Sequence, residues 1–274
     1  MSKKAGVLLL VSLLFGTALP QTKSINIGII SDGFSPEERA PLTLYLSSQL
    51  GKPVRLVIPE TYNETLDRVG DGTFSFACLG GVTYVRARAK YGVIPLIQRT
   101  SDRQFHSIFI TAASSPIKSL RDLKGKLFAF GDINSTSGHV MPYLELKKAK
   151  INPDTDIKFR YSGGHSLTAK LVETGVVDAG AMDESVYQTM ISNGILNPAK
   201  VRVFHTSQPF VDYVWVARKG VPEDERQRFA QALLSLKEGK DDAVLKLLRA
   251  KQFVAANDEE YASIRRTVRE LNMF

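Results

Sequence analysis

Short apolar segments alternate with helix-forming stretches along nearly the whole chain, and this alternation constrains the fold more than any single motif. The segments at 25–30, 54–58, 74–79 and 93–97 are apolar or alternating and of strand length. Between the first two, Ser35-Pro36-Glu37-Glu38 opens a helix with Leu42, Leu46 and Leu50 on its apolar face and Gly51 as its stop. A second helix begins at Tyr62-Asn63-Glu64 and closes near Gly70-Asp71-Gly72. A third follows the break at Gly80-Gly81 and runs through Tyr84, Val85 and Ala89. Strands alternating with helices predict a largely parallel sheet, with ligands at the carboxyl ends of its strands.

The segment 107–111 reads as a strand leading away from this first set. Ser119-Leu120-Arg121-Asp122 is a capping box with aspartate in the acidic place, opening a short helix stopped by Gly125. A second set follows, with strands at 127–130, 157–161, 176–182 and 201–205. Its helices span 139–150, run from Ser166 to Gly175, and run from Asp183-Glu184-Ser185 to Asn193-Gly194. The stretch 212–217 is the return crossing. Pro222-Glu223-Asp224-Glu225 then starts a helix through Phe229, Leu233 and Leu236, its acids where the dipole prefers them. Helices at 241–250 and 257–272 finish the chain. One lobe, 24–108 plus 215–274, is therefore built from both ends of the chain, and the other, 109–214, from its middle. Two crossing strands join them, as in hinged proteins that close on a solute.

The chain opens with Lys3 and Lys4 before an apolar run over 5–19, a basic region and hydrophobic region of signal-peptide length. Small residues at Gly16-Thr17-Ala18 predict cleavage after Ala18, which leaves 1–18 as a leader. No cysteine stands near that point, so a lipid anchor is not expected. The only cysteine, Cys78, has no partner for an internal disulfide and reads as a buried structural thiol. The formal charge of +8 favours anionic partners, but no run of Lys and Arg supports nucleic-acid binding.

The chemistry concentrates in Gly131-Asp132-Ile133-Asn134-Ser135-Thr136-Ser137-Gly138, between the strand at 127–130 and the helix at 139–150. The first N–H groups of a helix have no internal partner and carry the positive end of its dipole. A cap needs one hydroxyl. Three in a row, beside two glycines and an asparagine, point to an anion site. His165 follows Gly163-Gly164 and precedes a helix, so its ring can face a cleft, or it can serve as a surface or capping histidine. Tyr62 lies just past a strand end, and Asp212 at the mouth of the return crossing. Trp215, flanked by valines, reads as core. Arg99 and Arg103 near the crossing can attract anions or stand solvated.

With these residues assembled, the chain resembles the substrate-binding proteins of phosphate, phosphite and phosphonate ABC importers, from about Ile25 to its end. The most specific match is the 131–138 stretch, close to the family's Asp-Pro-Asn-Ser-Thr-Ser-Gly; Ile133 stands where the family has proline. Gly163-Gly164-His165 and Val177-Asp178-Ala179-Gly180-Ala181 also match. The resemblance implies an α/β, two-lobed periplasmic-binding-protein fold of type II. It implies that Ser135, Thr136, Ser137 and His165 hold the ligand's oxygens and that Tyr62 contacts it. Carboxylates at or near Asp183, Glu184 and Asp212 match the region that meets the ligand's other end. Where some members carry a further tyrosine ahead of the first crossing, this chain has Phe105-His106.

The four histidines show no metal-ligand spacing, and neither a phosphate-binding Walker loop nor a Gly-x-Ser-x-Gly elbow is present. Three hydroxyls without an obvious base read as ligand holders, so no catalytic residue, metal or cofactor is expected. The expected role is that of an exported, monomeric periplasmic receptor that takes a small oxyanion in the inter-lobe cleft and hands it to an ABC transporter permease. A sensory receptor that signals by the same closure to a membrane kinase or chemoreceptor is the alternative.

Overall fold

Residues 23–30 and 36–273 are described in a computed structural model; the expected leader with its cleavage point, and the turn at Ser31-Asp32-Gly33, lie outside the described residues. The first half of the alternation is β1 (Ile25–Ile29), α1 (Pro36–Leu50), β2 (Val54–Val57), α2 (Tyr62–Gly70), β3 (Phe76–Leu79), α3 (Gly81–Tyr91) and β4 (Ile94–Arg99). The stop after α1 is Gly51 at φ +63, and that after α3 is Gly92 at φ +66, left-handed positions that glycine adopts without penalty.

The middle of the chain gives β5 (Ser107–Ala112), β6 (Leu127–Phe130), α4 (Met141–Lys148), α5 (Pro153–Asp156) and β7 (Lys158–Tyr161). It continues with α6 (His165–Glu173), β8 (Ala179–Asp183), α7 (Glu184–Ser192) and β9 (Val201–Thr206). The chain then returns through β10 (Val214–Ala217), α8 (Glu223–Leu234), α9 (Asp242–Leu247), β11 (Phe253–Ala255) and α10 (Ala262–Glu270).

Two sheets result, ordered β11-β4-β10-β3-β1-β2 and β7-β6-β8-β5-β9. Each is mixed: most of its strands run one way, as the alternation predicts, but parallel pairings do not outnumber antiparallel ones in either sheet. In the first, β1 runs parallel to β2 and β3, while β10 lies antiparallel between β3 and β4. In the second, β6 runs parallel to β7 and β8, while β5 lies antiparallel between β8 and β9. The reversed central strand in each sheet is the one that arrives from the other lobe. It enters from the cleft side, at the carboxyl ends of the parallel strands, and must therefore run against them.

The changeover between sheets is short. After Arg99 the chain makes one tight helical turn over Thr100–Gln104 and enters β5 at Ser107; the return occupies 207–213. Phe105 and Phe210 pair across it, each N–H bonded to the other's carbonyl at 2.9 Å. Ser107 and Ile108 already pair in the second sheet and Val214 in the first, a residue or two to the side of the expected lobe boundaries.

Three elements differ from the sequence expectation, one of them α5, a single turn ahead of β7 where no helix is expected. The helix expected over 139–150 is a wide turn, Thr136–Val140, running into α4 with Pro142 as its second residue. Between the last helices lies β11, a three-residue edge strand on β4 that periodicity did not indicate.

Both faces of the first sheet are covered. Leu42, Leu46, Phe229 and Leu233 pack on one side, and Leu66, Val82, Val85, Ile264 and Val268 on the other. In the second sheet, Val172, Val186 and Met190 cover one face, and Leu120, Leu123 and Leu146 the other. Each fully buried Leu, Val or Phe contributes about 1.5–3 kcal/mol, so each lobe has its own core and the cleft carries little of the stability.

Candidate functional site

The loop after β6 is folded back on itself. Gly131 N–H donates to Gly138 O at 2.8 Å, and a Cβ on Gly131 would stand 3.3 Å from the Gly138 Cα. A Cβ on Gly138 would meet Ser135 Oγ at 2.9 Å and His165 Cε1 at 3.0 Å. Both glycines of the motif are therefore set by close approach. Ser135 is the helix cap, its Oγ accepting from Gly138 N–H at 3.0 Å. Thr136 and Ser137 follow in the first turn, and all three hydroxyl residues are buried.

The first lobe meets this loop with the start of α3. Val82 N–H donates to Thr136 Oγ1 at 3.0 Å, while the Thr136 hydroxyl donates to Asp212. Asp212 Oδ1 also accepts from Gly81 N–H at 2.8 Å. Further contacts flank these. Asn134 accepts from Arg86 through Oδ1, and its Nδ2 donates to Asn63 Oδ1 at 3.1 Å. The main-chain N–H of Tyr62 donates to the Asp132 carboxylate. The lobes are thus closed on one another, with Thr136 where a helix start from each side and the return crossing meet.

Three further residues complete the wall. His165, 2% exposed, is the first residue of α6, and its Nδ1 accepts from Asp183 N–H at 3.2 Å. Asp183 caps α7 through Oδ1, which takes Ser185 N–H and Val186 N–H, and its Oδ2 accepts from the Tyr213 hydroxyl at 3.1 Å. Burial alone would push its carboxyl up, but His165, Arg249, the Ser185 hydrogen bond and Arg99 hold it below the usual range. The opposite holds for Asp212. Burial pushes its carboxyl up to about 7 despite the Gly81 and Thr136 hydrogen bonds, with Asp183 and Asp102 adding to the rise.

Behind the crossing, Arg99 forms a buried pair with Asp102, its Nε 2.9 and 3.0 Å from the two carboxylate oxygens. Burial works against the charge of Arg99, yet Asp102 more than offsets it. The guanidinium also lies 5.1 Å over the Tyr213 ring and 5.9 Å over that of Phe105. A cavity of ≈ 100 Å³ opens among Tyr62, His165, Tyr213, Arg99, Arg249 and Cys78. One water needs roughly 10–15 Å³ by this measure, so the space suits a molecule of a few heavy atoms.

Of the residues that the sequence indicates, Tyr62 and His165 line the cavity. Thr136 and Asp212 touch each other but, like Ser135, Ser137 and Asp183, are not among the residues that line it. Asp183 reaches the group through His165 and Tyr213. Ser135 is engaged as the cap. Glu184 stands half-buried one residue into α7 and is not among the cavity residues. The other histidines are held structurally: His106 by Ser207 O, His139 by Ile133 O and Tyr161, His205 by Glu145. Sequence reasoning missed Tyr213, Arg249 and the Gly81 and Val82 N–H groups; it placed Asn134 in the anion motif but gave it no contact with the first lobe. Gly80-Gly81 at a strand end carried the signal for the α3 start; the Asp-Tyr pair at the return crossing carried the one for Tyr213.

Among the described residues no cluster of three or more potential metal ligands occurs, and no helix is long and apolar enough to cross a membrane. A family model described as the periplasmic substrate-binding protein of a phosphonate ABC transporter matches residues 33–261. The probable ABC transporter phosphite binding protein PhnD1 of Prochlorococcus marinus is 28% identical over 96% of this chain and 95% of its own length. The phosphate-import protein PhnD of Mycolicibacterium smegmatis is 28% identical over 78% of this chain and 74% of its own. The crystal structure of the Prochlorococcus protein in complex with methylphosphonate superposes with a TM-score of 0.84 at 27% identity, covering 92% of this chain and 99% of that one.

Proposed function

We propose a function from one premise: the chain belongs to the family of periplasmic substrate-binding proteins of phosphonate ABC transporters. Its role is that of the receptor of an importer, taking a phosphonate, phosphite or phosphate-like oxyanion between the lobes and presenting it, closed, to a membrane permease. The observation that carries the ligand class is the convergence on Thr136. A hydroxyl of one lobe and the N–H groups at the α3 start of the other meet at a buried point, and His165, which a Cβ on Gly138 of the same loop would touch, lines a small cavity. Helix starts are ready-made anion sites, and a ligand of a few heavy atoms entering there gains donors from both sides.

In this reading Ser135, Thr136, Ser137 and His165 hold the oxyanion, Tyr62 and Tyr213 wall it, and Asp183 positions His165. The names of two relatives, one for phosphite and one for phosphate, support a choice within this ligand class. The chain binds and releases its ligand unchanged, and it reaches the periplasm as a monomer after cleavage near Ala18. Calorimetric titration with methylphosphonate, phosphite, phosphate and sulfate tests the reading. Tight one-to-one binding of at least one of the first three is expected. Absence of binding to all three would overturn it.

A further inference from the structure

The cavity has one side that an oxyanion alone does not explain. On the first lobe it is walled by Ile29, Cys78 and Trp215, with Leu247 and Leu248 at the end of α9. The first three form a single row across the sheet. Ile29 on β1 lies opposite Cys78 on β3, and Cys78 lies opposite Trp215 on β10. Residues paired in register point to the same face, here the face packed under α1, α8 and α9. Cys78, Leu247 and Leu248 belong to that core yet stay half-buried. An apolar wall beside empty space forgoes the contacts that an apolar group would supply.

The polar groups on the cavity leave this wall apolar. Burial pushes the Cys78 thiol up to about 12, so it stays neutral. Of the two lining carboxylates, Asp102 has both oxygens engaged by Arg99, and Glu60 is exposed to water. Arg249 lines the same space, and its charge reaches Cys78 and Tyr213. A cationic group entering there would meet a guanidinium and find no buried carboxylate to pair with, at a high desolvation cost. At roughly 10–15 Å³ for each water-sized group, ≈ 100 Å³ holds about seven or more. A phosphonate group takes four heavy atoms, which leaves room for a chain of about three carbons.

We propose that this side of the cavity is a tail pocket, in which Ile29, Cys78, Trp215 and Leu248 receive a short uncharged carbon chain while the oxyanion stays at His165 and the hydroxyl loop. This rests on the oxyanion reading above and narrows it to small alkylphosphonates, favoured over bare phosphite and phosphate and over aminoalkyl analogues. Cys78, at the centre of the row, sets the depth of the pocket.

Calorimetry with phosphite and with methyl-, ethyl- and propylphosphonate on the purified protein tests this. Each added methylene is expected to tighten binding about fourfold, so propylphosphonate should bind about fifteenfold better than methylphosphonate. 2-Aminoethylphosphonate, of the same length as propylphosphonate, should bind at least about tenfold more weakly than it. Cys78→Leu fills the pocket, and the ratio of propyl to methyl affinity should fall at least about tenfold. Cys78→Ala deepens it and should carry the gain on to butylphosphonate. A wild type in which propylphosphonate binds no better than methylphosphonate overturns the proposal, as does a preference for the aminoethyl ligand over the propyl one. An unchanged ratio in Cys78→Leu overturns it too. If that variant does not fold, Cys78→Ala decides, and a chain-length profile identical to that of the wild type overturns the proposal. Binding of phosphite or phosphate without any alkylphosphonate overturns the tail pocket and leaves the function reading standing. Failure to bind any phosphorus oxyanion defeats the function reading and the tail pocket with it.

Discussion

The two neighbouring hydroxyl residues Ser135 and Thr136 differ in what they do besides facing the ligand. Ser135 caps the helix, so Ser135→Ala is expected to cost about 1 kcal/mol of stability, read as a lowered melting temperature. Thr136 joins the lobes and the crossing. Hydrogen bonds to a charged group contribute about 1.5–3 kcal/mol, so Thr136→Val should weaken oxyanion binding roughly tenfold to a hundredfold, as calorimetry would report. Asp212 carries a separate prediction about the empty protein. Burial pushes its carboxyl up to about 7, well above the ordinary carboxylate range, so the folded state binds the proton more tightly than the unfolded chain. Stability from this group is full below the unfolded value and is lost as pH rises through the folded one. Asp212→Asn should therefore melt higher than the wild type above pH 7, with the gap closing towards pH 4; equal melting profiles at both ends would contradict this. The triplet was legible because hydroxyls crowd a strand–helix turn. The Arg99–Asp102 pair was not, because charged residues default to solvent and only the topology of the crossing buries them.

At the level of elements, the alternation of apolar segments and helical faces fixed nearly every strand, since period and length speak together there. β11 escaped because three residues between two helices are too few to show a period; it exists only because β4 offers it an edge. The wide turn at Thr136–Val140 escaped for a related reason. Its cause is the contact of Gly131 with Gly138, a closure that periodicity does not register. The start of α3 was visible as a break at Gly80-Gly81, while its task of closing the cleft was not. A Cβ on Gly80 would lie 3.3 Å from both Asp212 Oδ1 and Thr136 Oγ1, tighter than ordinary van der Waals contact. The backbone there is ordinary, at φ −69, so Gly80→Ala meets no local strain. It is expected to leave the melting temperature of the ligand-free protein within a few degrees and to weaken ligand binding, because the methyl group sits where the lobes must meet. A variant that binds as the wild type does would show that this approach has slack.

For the whole molecule, the decisive quantity is the balance between closed and open lobes, which only the short segments 100–106 and 207–213 connect covalently. Asn134 weighs on that balance from outside the ligand position. Its side chain bonds Arg86 on α3 and Asn63 on α2, and its carbonyl accepts from Thr83 at 3.4 Å, so one loop residue holds two helices of the opposite lobe. Its own turn is kept by Asn134 N–H on Asp132 Oδ1 at 2.7 Å, a main-chain bond that Asn134→Ala preserves. The substitution thus removes two inter-lobe hydrogen bonds and leaves the loop's shape. The neutral bond to Asn63 is worth about 0.5–1.5 kcal/mol and the charge-assisted one from Arg86 about 1.5–3 kcal/mol, so their loss shifts the closed state by about 2–4.5 kcal/mol, and apparent affinity falls with the fraction of competent protein. Asn134→Ala should bind the oxyanion roughly thirtyfold to a thousandfold more weakly with an unchanged melting temperature. Small-angle scattering should show a larger radius of gyration without ligand and the wild-type value at saturation. A ligand-free profile identical to that of the wild type, together with undiminished affinity, would mean that the hinge and the Thr136 contact alone set the closure.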